Sequence, residues 1–220
     1  MSPYHYAANN PIKYIDINGD SIKINDFTYM PNQGYDGNSQ FVADAVAALD
    51  YMYNNDADNG IICDISCSSK NNVQILENTK SNNPLYNNPK YSMYFIPDGK
   101  ENPTGSNIPY IIWESRTAFE FKDPNSWFGK GKRSPAEILF HEVGHANSFF
   151  TNPLFKDDSK RFDPAYTSPQ MMQYDNREEY NNITRNENPA AHKLRPGKAV
   201  NRIDHRRGTF RTVKSPISIP

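Results

Sequence analysis

Between Ser39 and Tyr53, Phe41, Val42, Ala45, Val46, Leu49 and Met52 recur at three- and four-residue spacing. That period predicts an amphipathic helix with one face turned to a core. The alternating run Ser21-Ile22-Lys23-Ile24-Asn25 predicts a strand. Residues 60–65 are rich in β-branched side chains and predict another. Residues 91–96 and Tyr110–Trp113, closed by Pro97 and opened after Pro109, predict two more. Asn82-Asn83-Pro84 and Asp98-Gly99-Lys100 between them are turn chemistry. Residues 123–133 predict a polar loop carrying Trp127 and Phe128. Ser134, Pro135 and Glu137 then form the clearest helix start in the chain: a capping residue, a proline at the first helical position and the acid of a capping box. A further helix is expected over 177–185. Beyond Pro189 the chain reads as basic and irregular, with Arg195, Lys198, Arg202, Arg206, Arg207 and Arg211.

At 220 residues the chain has room for one full domain with a core, and too little for two large ones. Lys+Arg 24 against Asp+Glu 25 leaves almost no net charge. No basic stripe precedes the C-terminal region, which argues against a nucleic-acid partner. No apolar run nears the roughly 18–20 residues needed to cross a bilayer, so no membrane partner is expected either. The two cysteines, Cys63 and Cys67, supply neither a disulfide framework nor a four-thiolate zinc site, and they leave the compartment open.

The chemistry is concentrated in His141-Glu142-Val143-Gly144-His145, inside the helix that Ser134 starts. Side chains four apart in a helix are offset by about 40° and about 6 Å, so both imidazoles can reach one ion. Glu142 lies beside that face, placed to take a proton from a zinc-activated water rather than to bind the metal. For this composition the pattern is expected by chance on the order of 0.005 times. These residues therefore predict Zn2+ as cofactor, His141 and His145 as ligands and Glu142 as general base.

A catalytic zinc needs a third protein ligand. The downstream acids are Asp157, Asp158, Asp163, Asp175, Glu178, Glu179 and Glu187. Rigid elements hold ligands better than loops, which favours the pair that opens the 177–185 helix. Glu179 shares a face with Ile183, four residues on, so Glu179 is the expected ligand, with Glu178 and an aspartate as alternatives. For the oxyanion of amide hydrolysis, Arg202 is the expected donor, in the segment Arg202-Ile203-Asp204-His205. Tyr180, His205 and Arg211 are the other candidates. Tyr110–Trp113 is expected either as an edge strand that can add an extended peptide or as a core strand.

Two resemblances cover different parts of the chain. The opening Tyr4-His5-Tyr6-Ala7-Ala8-Asn9-Asn10-Pro11-Ile12-Lys13-Tyr14-Ile15-Asp16-Ile17-Asn18-Gly19-Asp20 resembles the end of the core of Rhs/YD-repeat proteins, where a variable C-terminal toxin domain follows. Ile17 stands where that family has proline, and Asp20 where a leucine often marks self-cleavage. On this resemblance residues 1–20 are a core remnant and 21–220 the toxin domain. The stretch 90–212 is similar to zinc metallopeptidase domains of bacterial effectors, including type III secreted effector proteases. It shares the histidine helix, Glu178-Glu179-Tyr180-Asn181-Asn182-Ile183, Glu187-Asn188 and Arg202-Ile203-Asp204-His205. The resemblance implies an α+β, zincin-like fold: a mixed sheet packed against the active-site helix, with the 39–53 helix behind it. It further implies an exported endopeptidase acting on proteins inside a target cell, with a cognate immunity protein as partner. A zinc amidase with a non-protein substrate, or an inactive zincin serving as a binding module, is the alternative.

Overall fold

The computed structural model describes residues 21–68, 71–83, 85–86, 93–97, 102–152, 174, 176–205 and 208–220. Residues 1–20, expected to be a core remnant, and Asp157, Asp158, Asp163, Asp175, Arg206 and Arg207 lie outside the described residues. The fold is α+β, with two sheets among the described residues. Strands β1 (Ile22–Ile24) and β2 (Phe27–Tyr29) form an antiparallel hairpin. Helices α1 (Gln40–Asn54) and α2 (Ile61–Ser66) then carry the chain to β3 (Val73–Glu77), which lies parallel to β1. With β4 (Tyr94–Ile96) and β5 (Tyr110–Trp113) these strands make a mixed five-stranded sheet in the order β2-β1-β3-β5-β4. A second, antiparallel sheet, β7-β6-β8, is built from β6 (Thr117–Lys122), β7 (Lys130–Arg133) and β8 (Thr209–Thr212).

The core lies between the large sheet and the helices. Ile22, Ile24, Ile75, Ile111 and Trp113 join Phe41, Ala45, Leu49 and Met52 of α1 in one buried cluster with Leu139, Phe140 and Val143. The last three belong to α3 (Pro135–Thr151). Alternate residues Leu76, Tyr110 and Ile112 pack on the opposite face with Tyr94 and Ile96, as the two-residue strand period requires. The helices predicted over 39–53 and from Ser134 are both present. Ser39 caps α1 by accepting from the Val42 amide. The capping box of α3 is complete, Ser134 N–H donating to Glu137 at 2.8 Å while the Ser134 hydroxyl accepts from the Glu137 amide. Trp113 is fully buried and donates to the Pro135 carbonyl, tying β5 to the start of α3.

Three expectations are corrected, and one left open is decided. Residues 60–65 are mostly the helix α2, not a strand. Gly60 takes the left-handed φ of 79° before it, Asp58 accepts from the Ile62 amide, and Ile61, Ile62 and Ile65 then share one buried face. Burial on that face outweighs the weak strand preference of isoleucine. The expected 123–133 loop closes with β7, whose Lys-Gly-Lys-Arg sequence hides a strand paired to β6. Of the two readings open for Tyr110–Trp113, the core strand holds: it is hydrogen-bonded on both sides by β3 and β4, so it offers no free edge to a peptide. The region after Pro189 is not irregular throughout, since it holds a helix and β8.

The 177–185 helix continues further than its sequence suggests. It begins as α4 (Arg177–Asn182), widens into a π-helical turn (Ile183–Glu187) and finishes as α5 (Asn188–Leu194), with Pro189 in its first turn. This composite helix packs across α3, and Gly144 is the point of closest approach. A Cβ there would overlap Asn182 Oδ1. That oxygen accepts from Asn186 at 2.9 Å while Asn182 Nδ2 donates to the His141 carbonyl at 2.8 Å. Gly144→Ala is therefore expected to destabilise the fold by about 1–3 kcal/mol, because the crowded amide cannot move without losing both bonds. Urea denaturation checks this, and an unchanged midpoint would count against the close packing.

Candidate metal centre

His141 and His145 sit one turn apart on α3, buried, with rings edge to face at 4.6 Å. Their Nε2 atoms are 3.0 Å apart. Glu179 closes the triangle: Oε1 lies 3.2 Å from His141 Nε2, and Oε2 lies 3.1 Å from His145 Nε2. Donors bound tetrahedrally at about 2.0–2.1 Å stand roughly 3.3 Å from one another. The observed spacings are close to that, and His141, His145 and Glu179 form a group that could hold a metal ion.

Each imidazole is oriented from behind by a second carboxylate. His145 Nδ1 contacts Glu178 Oε2 at 2.6 Å. His141 Nδ1 lies 2.9 Å from Glu187 Oε2, close enough for an ion pair but misaligned for a hydrogen bond. A carboxylate on the Nδ1 side leaves the Nε2 lone pair for an ion, the arrangement common behind metal-bound histidines. Glu178, the alternative third ligand, thus faces the far side of His145, and Glu179 faces the donor triangle. Glu179 Oε1 is buried with no hydrogen-bond partner, an expensive condition unless a cation satisfies it.

The π-helical turn makes this possible. At about 100° per residue Glu187 would point opposite Glu178, whereas about 80° per residue through the wider turn returns it to the α3 side. Glu178, Glu179, Asn182 and Glu187 then all face α3. Glu187 is held by Arg133 at 2.9 Å and by Arg202 at 3.0 Å. Arg195 grips Glu137 with both terminal nitrogens at 2.6 Å, fixing the first turn of α3.

The other sequence candidates are placed as follows. Arg202 is buried behind the site, its three nitrogens engaged by Glu187 and the carbonyls of Asp204 and His205. His205 is brought against the triad, its ring stacked on His141 at 5.9 Å and its Nε2 3.5 Å from Glu179 Oε1. Arg211 is exposed on β8, near Glu120. Tyr180 packs on Tyr174. Glu142 is buried beside His141, and no side chain among the described residues pairs with its carboxylate. A groove of about 490 Å³ on the small sheet, lined in part by Phe121, Lys122, Trp127 and Phe128, contains Arg211 but none of His141, Glu142, His145, Glu179 or His205.

No family model, curated protein or solved structure matches this chain. The site's chemistry is therefore read from its geometry alone.

Burial disfavours charge on His141, but the close negative charges of Glu179 and Glu187 outweigh it and push the imidazole up to about 9. Glu178 and Glu179 raise His145 well above its ordinary value in the same way, again against burial. Burial would raise Glu179, yet the two histidines hold it well below the usual carboxylate range. Without an ion, the surrounding carboxylates therefore favour proton binding by the two imidazoles. A metal must displace those protons, so its affinity should climb with pH until the raised histidine values are passed. Zinc titrations between about pH 6 and 9 are expected to show a monotonic rise in affinity, with proton release on binding. A flat profile would contradict the protonated triad.

Proposed function

We propose that this chain is a zinc-dependent endopeptidase with a zincin-like architecture, the α1 helix backing the active-site helix α3. The observation that carries the reading is the buried His141–His145–Glu179 triangle, with each imidazole oriented by its own carboxylate and Glu142 next to His141 on the same helix. Zinc held there would supply a Lewis acid and lower the pKa of a water towards neutrality. Glu142 takes the proton of the attacking water and returns it to the leaving amine, which needs a carboxylate not already committed to a cation. His141, His145 and Glu179 stay fixed throughout, because α3 and α4 are cross-braced by Asn182.

The biological setting we propose is that of a secreted effector: the C-terminal toxin of a larger Rhs-type protein, cleaving proteins in a target cell and restrained by an immunity protein. The opening Asn9-Asn10-Pro11 segment and its neighbours support it. Glu142→Gln keeps the shape of the side chain and removes the base. It is expected to retain bound zinc while lowering cleavage of target-cell lysate proteins by about 10²–10⁴-fold. Lysate incubated with wild type and variant, compared by gel and mass spectrometry, reads this directly. Equal cleavage by the two would remove Glu142 from the mechanism.

A further inference from the structure

Arg202 is a sequence candidate for stabilising the oxyanion, yet its guanidinium has another task. Nη1 contacts Glu187 Oε2 at 3.0 Å, and Glu187 in turn stands against His141. Nε donates to the Asp204 carbonyl at 2.8 Å and Nη2 to the His205 carbonyl at 2.7 Å. The backbone is tied as well, because Asn188 accepts from the Arg202 amide at 2.8 Å and donates to its carbonyl at 3.0 Å. One side chain thus braces residues 202–205 on the carboxylate that orients His141. What that brace presents is the imidazole of His205.

The ring of His205 lies nearly parallel to His141, at 17° between planes. Its Nε2 is 3.5 Å from Glu179 Oε1, too long for a good hydrogen bond and on the oxygen that His141 also approaches. The side chains of His141, His145 and Glu179 are 4%, 11% and 5% exposed, whereas His205 is 36% exposed. His205 therefore belongs to the rim of the site, and the three ligands to its floor. A group seated against the triad on the His205 side meets that imidazole.

We propose that His205 is a catalytic residue, whose Nε2–H donates to the oxygen that becomes negative as the scissile carbonyl is attacked. Arg202 is the positioning residue that holds it there. This rests on the hydrolytic reading given above. A rim donor of this kind is worth about 10²–10³ in rate when it acts only on the developing charge.

The test uses the full chain loaded with Co2+, whose visible spectrum reports the ligands directly, and methylphosphonate as a small tetrahedral oxyanion. His205→Ala should take up cobalt as wild type does, with the same ligand-free spectrum, and bind methylphosphonate about tenfold or more weakly. His205→Gln, which keeps an N–H donor, should recover part of that loss. On any lysate protein that wild type cleaves and Glu142→Gln does not, His205→Ala should lower kcat with KM nearly unchanged. Unchanged methylphosphonate affinity in His205→Ala, or no binding to loaded wild type, overturns the assignment. An altered ligand-free spectrum also overturns it, by making His205 a metal ligand or its support. Failure of wild type to take up cobalt would instead bring down the hydrolytic reading beneath it.

Discussion

The structure depends on how a set of buried charges is satisfied beneath α3. Glu137, Glu178, Glu179 and Glu187 are all buried there, and the guanidiniums that meet them are Arg133, Arg195 and Arg202. Isolated carboxylates at that depth would cost several kcal/mol each and would protonate instead. Arg195 neutralises Glu137, while Arg133 and Arg202 share Glu187. Glu178 and Glu179 face histidines alone: His145 for Glu178, and His141, His145 and His205 for Glu179. With Glu142, buried on α3 and unpaired among the described residues, the acids outnumber the guanidiniums by two unless the histidines are protonated or a cation is present. A divalent ion among His141, His145 and Glu179 resolves the shortage and also satisfies the orphaned oxygen of Glu179.

Much else serves to keep that set in register. The capping box at Ser134 and Glu137 fixes where α3 begins, and Arg195 fastens the same glutamate from the far end of the composite helix. Gly144 lets the two helices meet closely enough for Asn182 to reach the His141 carbonyl. The π-helical turn then returns Glu187 to the face that carries Glu178 and Glu179. Wide turns of this kind weaken a helix and are often retained at functional sites, and here the turn places three acids at two histidines.

The histidine helix was fully legible, because cap, proline, acid and apolar face all agree there. Glu179 was legible through the four-residue spacing to Ile183, and α1 through its apolar period. The roles of Glu178 and Glu187 were not, since a π-helical turn leaves no mark in local composition and no helical wheel places Glu187 beside His141. Arg202 was read as a donor to substrate because a basic segment was needed near the cleft. Glu187 lies on another element, and only the fold shows that it and the two nearby carbonyls of Asp204 and His205 engage the guanidinium. His205 was visible as a candidate in the same segment but had no pattern to raise it above its neighbours. The strand β7 was hidden by its charged sequence, and α2 by its isoleucines, both cases of tertiary packing overriding local preference.

X-ray absorption at the zinc edge on the purified protein, with metal content measured in parallel, asks whether His141, His145 and Glu179 together hold one zinc. About one zinc per chain is expected, with nitrogen and oxygen neighbours near 2.0–2.1 Å and multiple scattering from two imidazoles. A sulfur shell near 2.3 Å, which would place the ion at Cys63 and Cys67, or a chain that purifies and titrates without zinc, would contradict it.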